Sequence, residues 1–301
     1  MRRHRLTLSL ALAAGLALPG AARAGQSAIP AAFADPGLGG RVMAMGGAGV
    51  AADGRATDLA WNPAGLTALA GTSLWAMQGD QFGLVPSTVL GGARPWGEGR
   101  GVAAALLSGG DALLRENTLL VALGQSLGPL ALGATLRLRH ASFGPESGGD
   151  GVDGSAYGAG LDLGVVIRQG PYRYGLVLDE ALSDLRWSSS GLGDYHEGVP
   201  PTLRAGLGLD AAPFSLAVDL ELALESERAH KAALGLEWRV HPVLALRGGM
   251  SQRLDTEELR FLTLGAGLGK DLEGGRRLQL DSAYSFHDLG GSLRVEVSLG
   301  L

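Results

Sequence analysis

Asp219 and Glu221 are the pair best placed for acid–base chemistry. They share one face of an alternating run at 214–225, and two carboxylates on one side of a strand can divide the roles of acid and base. Lys231 and Arg239 fall on the polar face of the next run, however, and an ion-pair ladder accounts for all four. Gly124-Gln125-Ser126-Leu127-Gly128 has the G-x-S-x-G form that exposes a serine nucleophile on a strand-to-helix turn. Pro129 and the alternating Leu130, Leu132, Leu136 and Leu138 stand where the helix should be, so a β-turn is expected. Two G-x-G-x-x-A sequences, at 47–52 and 206–211, open no βαβ unit and read as small residues in a crowded interior. His140, His196, His230, His241 and His287 lack zinc-ligand spacing, and Glu146, Asp150 and Asp153 lack the regular spacing of a calcium loop. The expectation is a chain with no covalent chemistry, no metal and no cofactor.

What positions these residues is a sheet. From Ser73 onward apolar residues recur at every second position, which sends successive side chains to opposite faces. At the end of the chain Leu293, Val295, Val297, Leu299 and Leu301 point one way while Arg294, Glu296, Ser298 and Gly300 point the other. About 14 such runs of roughly 8 to 13 residues follow one another, close to what a tilted strand needs to cross a bilayer. Gly128-Pro129, Gly170-Pro171, Ala212-Pro213 and His241-Pro242 mark tight turns at every second junction. Longer links at 109–115, 144–154, 183–199, 226–228 and 253–257 lie between them. Short turns on one side and longer loops on the other are the arrangement of a bacterial outer-membrane barrel, with the short side periplasmic.

The polar face carries Arg137, Arg139, Asp162, Arg168, Asp219, Glu221, Lys231, Glu237, Arg239, Arg247, Asp281 and Arg294, interleaved with Gly and Ala. An aliphatic face 14 strands around is too large to fill as a core, so it is expected to meet lipid while the charges line the lumen. Closure removes the sheet edges that a membrane would leave unsatisfied. Tyr172, Tyr174, Phe214 and Trp238 fall at the periplasmic ends of their strands, where an interfacial girdle belongs.

The start of the chain reads as an export signal. Arg2, Arg3 and Arg5 precede an apolar stretch at 6–18 and then Ala22-Arg23-Ala24, a small-x-small cleavage site. Cleavage after residue 24 removes four arginines and no acid, leaving 21 basic against 30 acidic residues, a net of −9. Nucleic acid is not an expected partner. Cysteine is absent, so stability must come from packing or a closed hydrogen-bonded ladder.

Residues 25–72 do not alternate, and a lumen 14 strands around needs filling if it is not to leak. The segment is therefore expected inside as a plug. Met43, Met45, Val50, Leu59 and Trp61 are its apolar anchors, and Asn62-Pro63 is a helix start with Asn as N-cap and Pro at the first helical position. RVMAMGGAGVAADGRATDLAWNPAGL, at 41–66, resembles the N-terminal signature of the outer-membrane long-chain fatty-acid transporter (FadL-like) superfamily and its shorter PorV-type relatives. The core of the match is M-G-G-A-x-V-A, a spacer and W-N-P-A-G. The resemblance implies a 14-stranded barrel closed by an N-terminal hatch, with Asn62, Pro63, Ala64 and Gly65 near the ligand path. It also implies passage of hydrophobic molecules from an outer groove into the lumen and out sideways at a kinked strand, for which Gly109-Gly110 is the candidate here.

The chain departs from fatty-acid carriers in being shorter and in ending on Leu301 where such barrels end on an aromatic. Its longest loop, 183–199, offers Leu185, Trp187, Leu192 and Tyr195 as apolar handholds. These features lean toward the PorV-type barrels. The overall expectation is an all-β, about 14-stranded antiparallel transmembrane barrel divided into a signal peptide (1–24), a hatch (25–72) and a barrel (73–301). It would be a monomer in outer-membrane lipid, passing small hydrophobic ligands with selectivity from Met43, Met45, Trp61 and the 183–199 loop. The alternative is a non-transporting scaffold or partner of a secretion or envelope complex.

Overall fold

The computed structural model describes Phe33 and residues 37–144, 153–191, 193–224, 230–254, 260–287 and 290–301. The expected signal peptide, the link at 226–228 and most of the link at 144–154 lie outside the described residues. The wall consists of β1 (Ser73–Gln81), β2 (Val85–Pro95), β3 (Arg100–Gly110), β4 (Leu114–Leu127), β5 (Leu130–Phe143), β6 (Gly154–Gln169) and β7 (Tyr172–Ser189), followed after a short β8 (Gly193–Glu197) by β9 (Thr202–Ala211), β10 (Phe214–Ala223), β11 (Lys231–His241), β12 (Leu244–Arg253), β13 (Arg260–Asp271), β14 (Arg277–Phe286) and β15 (Ser292–Gly300). Consecutive wall strands pair antiparallel, β7 pairs with β9, and β1 pairs with β15, which closes a ring of fourteen.

Burial is inverted relative to a water-soluble protein. Asp162, Glu237 and Asp281 are each 2% exposed and Arg247 and Arg294 are 5% exposed, whereas Leu264 is 58% and Leu236 is 42% exposed. Only a solvent that is itself apolar makes this arrangement favourable, and the bilayer interior is such a solvent. Phe214 and Trp238 stand opposite one another at the short-turn end, with ring centroids 6.1 Å apart, and Tyr172 and Tyr174 lie exposed on the next face. Ser126 lies at the end of β4, paired with Ala131, and donates to the Gly128 carbonyl at 3.1 Å, so its hydroxyl serves the β4–β5 turn.

Two expectations need correction. The link at 183–199 is largely a hairpin: β7 runs on to Ser189 and turns back through β8, pairing Trp187 with Tyr195. Alternation simply continues past the expected strand end. Leu185 and Trp187 point inward against Ala141 and Ala156, so they are packed and not free to capture a ligand; Tyr195 is exposed, stacked on Trp187 at 6.0 Å, and Leu192 lies outside the described residues.

The bulge that interrupts the middle of a strand is on β7 and not on β3. Gly109 is paired on both sides, with Ser87 and Glu116, and Gly110 turns into the link that follows. On β7, by contrast, the register with β6 jumps from Leu163↔Leu178 to Leu161↔Leu182, so three residues face Asp162 alone. Glu180 is the bulged residue, with φ 52. Its N–H donates to Asp162 Oδ1 at 3.0 Å and its buried carboxylate meets Arg139, an ionic demand that overrides a regular ladder.

The inverted surface yields a direct test. Leu264→Arg places a charge on the lipid face near the middle of β13 and should cost about 2–4 kcal/mol in reversible unfolding from lipid vesicles.

Candidate functional site

The N-terminal segment contains two short helices, α1 (Gly40–Ala44) and α2 (Asp58–Trp61), and a 3-10 turn at Pro63–Ala68. Asn62 caps that turn, accepting from the Ala64 N–H at 3.2 Å, with Pro63 in the first position, where a missing N–H costs nothing. The Asn62 amide also donates to the carbonyls of Val50 (2.8 Å) and of Val165 on β6 (3.0 Å), tying two parts of the segment to the wall.

Partners of the segment come from opposite sides of the ring, which puts it in the lumen. On one side Leu38, Leu59 and Leu66 pack with Trp75, Met77, Val89 and Leu120 of β1, β2 and β4. On the other, apart from Met45 and Ala48 against Ala217 and Ala233, the contacts are polar. Gly49 and Val50 N–H groups donate to Asp219 Oδ2 at 2.7 and 2.8 Å, the Gly40 N–H donates to Glu296 at 2.8 Å, and Thr263 accepts from Gly46 at 3.0 Å while donating to Ala44 O at 2.9 Å. Arg41 bridges Glu237 at 2.7 Å and Asp53 at 2.9 Å, while Arg173 and Arg204 donate to the carbonyls of Ala51 and Trp61 at 2.9 and 3.2 Å.

Glycines make this seat possible. A Cβ on Gly101 of β3 would lie 2.0 Å from Leu66 O, one on Gly133 of β5 2.3 Å from Ala64 N, one on Gly175 of β7 2.1 Å from Val50 O, and one on Gly249 of β12 2.2 Å from Gly46 N. Within the segment, Gly65 is required because its Cβ would sit 2.2 Å from Asp58 Oδ2.

Toward the long-loop end lies a cavity of about 490 Å³. Phe33, Leu38, Leu84, Val85, Leu107, Leu113, Leu114 and Leu120 supply its apolar lining, and Glu116, Arg137 and Arg139 are among its polar members. Each of these charges is engaged: Arg137 with Asp162 at 2.6 Å, Arg139 with Glu180, and Glu116 with the Phe33 N–H at 2.7 Å. The arrangement can hold an apolar molecule.

No family model and no curated protein sequence matches the chain. Solved structures do. The Pseudomonas putida toluene transporter TodX superposes with a TM-score of 0.63 at 15% identity, over 87% of this chain and 97% of that one. The CymD monoaromatic hydrocarbon channel gives 0.61 at 17% identity over 87% and 96%, and a Pseudomonas aeruginosa FadL homologue 0.59 at 12% over 86% and 96%. The chain has the FadL-like fold.

Within this FadL-like barrel, Asn62, Pro63, Ala64 and Gly65 come together with Trp61 in one buried turn, and the Trp61 indole donates to Leu38 O at 2.7 Å under the Arg204 guanidinium. Met45 is buried against Ala217 and Ala233, while Met43 is half-buried beside Gly37. Arg137, Arg139, Asp162, Glu237, Arg247 and Asp281 join lumen ion pairs, Arg247 reaching Glu237 at 2.7 Å and Asp281 at 2.6 Å. The expected ladder needs correcting. Lys231 does stand opposite Glu221, but Asp219 Oδ2 is bonded by segment backbone, and Arg239 lies 3.5 Å from Glu237 on its own strand. Arg173, Asp179, Glu180 and Arg204 were not singled out; the adjacent acids Asp179 and Glu180, which interrupt alternation, were a readable bulge signal.

Electrostatics within the segment are uneven. Although burial opposes it, Arg41, then Arg55 and Arg173, hold Asp53 well below the usual carboxylate range. Burial and then the Asp53 charge push Asp58 up from 3.8 to about 7, against the Arg55 and Gly54 N–H groups that bond it at 3.0 and 2.8 Å. Asp58 therefore holds its proton to higher pH in the folded chain than in the unfolded one. Rising pH weakens the folded segment from 3.8 to about 7, and nothing more is lost above that. Asp58→Asn should flatten this fall, read as the rate of proteolysis within the segment across that pH range. Asn62→Ala leaves buried carbonyls without donors and should cost about 1–3 kcal/mol in equilibrium unfolding from detergent.

Proposed function

We propose that the chain is a monomeric channel of the bacterial outer membrane that takes up small apolar molecules, with its N-terminal segment as the hatch. It performs no covalent chemistry. The observation that carries this reading is the cavity of about 490 Å³ at the long-loop end, lined with leucines and phenylalanine and with both of its arginines already held in ion pairs. A neutral apolar guest gains by leaving water there. The fold shared with the toluene transporter and the monoaromatic hydrocarbon channel supports the same class of cargo. Below the cavity, the segment occupies the lumen and is seated on strands all around the ring, which suits a hatch that blocks bulk leakage.

The test is binding. An apolar fluorescent probe should bind the purified barrel saturably, and Leu107→Glu with Leu114→Glu should weaken it by at least about tenfold while heat-modifiable migration is unchanged. Equal probe affinity in the double variant would overturn the assignment of the cavity. Solvent extraction of native barrel that recovers no apolar molecule, together with a stoichiometric co-purifying protein, would replace the channel with a scaffold.

A further inference from the structure

At the short-turn end, beneath the N-terminal segment, a second cavity of about 430 Å³ has a different chemistry. Five guanidiniums line it, those of Arg41, Arg55, Arg168, Arg173 and Arg239, against the two carboxylates of Asp53 and Asp210. The chain as a whole carries 30 acidic and 25 basic residues, so this excess of positive charge is a local construction.

The pairing leaves the excess uncompensated. Asp53 is shared by Arg41 at 2.9 Å and Arg55 at 3.3 Å, and Asp210 is taken by Arg173. Arg168 donates to the neutral hydroxyl of Thr67 at 3.2 Å, and its Nη2, shielded from solvent, has no hydrogen-bond partner among the described residues. Arg239, 58% exposed, reaches Glu237 at 3.5 Å, a carboxylate that Arg41 and Arg247 already hold at 2.7 Å each. A planar fork with unfilled donors matches phosphate and carboxylate oxygens, and several such forks around one open cavity suit a ligand with more than one negative charge.

We propose that this vestibule binds a soluble, multiply charged anion bearing phosphate or carboxylate groups, with Arg168 and Arg239 as its principal donors. Both arginines lie on the inward side of their strands, next to the outward-facing Ile167 and Trp238. The two principal donors thus face the lumen and not the bilayer, which favours a soluble anion over a lipid headgroup. An occupant also competes with Asp53 for Arg41 and Arg55, so binding is coupled to the contacts that hold the segment. The site is independent of what the outer cavity carries.

Calorimetric titration of the full mature chain, in non-ionic detergent at low salt, with inorganic pyrophosphate tests the proposal. Saturable binding near one per chain is expected, weakened by at least about tenfold in Arg168→Gln with Arg239→Gln and weakened by added salt. Arg253→Gln with Arg260→Gln, at the opposite mouth, should bind as the parent does. Unchanged affinity in micelles doped with phosphatidylglycerol supports a soluble ligand; abolished binding there assigns the site to a lipid phosphate and overturns the soluble form. Non-saturable heats, or equal affinity in the parent and the Arg168/Arg239 variant, overturn the site altogether.

Discussion

Charged groups facing the inside of a barrel lose water as soon as the lumen is filled, and each must then find a partner. Here the N-terminal segment is both the filling and a source of partners. Asp219 and Glu296 are answered by backbone N–H groups of Gly49, Val50 and Gly40, while Arg173 and Arg204 answer backbone carbonyls of the same segment. An irregular segment has unspent main-chain donors and acceptors, which would be costly in an apolar lumen and are satisfied in a charged one. The wall charges and the missing secondary structure of the segment are thus two halves of one requirement. Seen this way, the polar lumen is needed even if no charged molecule ever passes it.

Glycine sets how closely this can be done. The 50 glycines cost folding entropy, and a strand interior is a poor place for them. Gly101, Gly133, Gly175 and Gly249 spend that cost where the segment backbone comes within van der Waals reach of the wall. Side chains at those positions would hold the segment off and stretch its hydrogen bonds to Asp219, Val165 and Thr263. Tight contact on β3, β5, β7 and β12 also makes the segment hard to move as a unit, so any gating has to act through local loosening.

The barrel was legible because lipid and lumen impose opposite polarities on alternating residues: Leu293, Val295 and Val297 against Arg294 and Glu296 read directly as two faces. The cap at Asn62 was equally readable, since Asn-Pro has a local mechanism. Partner choice was not. Periodicity puts Asp219 on the polar face but cannot say that Gly49 and Val50, 170 and 169 residues away in sequence, will reach it before Lys231 does. The hairpin formed by β7 and β8 escaped notice for a similar reason: Leu185 and Trp187 alternate correctly, but a strand rising past the expected membrane limit looks the same as a loop with scattered apolar residues.

The bulge on β7 links the ionic lumen to the apolar cavity. Asp162, Arg137 and Arg139 form a cluster that takes in Glu180 only if β7 inserts extra residues opposite Asp162, and Gly160 leaves the space, since a Cβ there would lie 2.3 Å from Glu180 Oε2. The same Arg137 and Arg139 form part of the cavity wall. Inserting an even pair of residues keeps Leu185 and Trp187 facing inward above the bulge, so the wall bends without exchanging its faces. One edge of an apolar pocket is therefore fixed by a salt-bridge network whose members are all internally matched. Such a network gives the pocket a rigid boundary while offering an incoming ion little reason to stay.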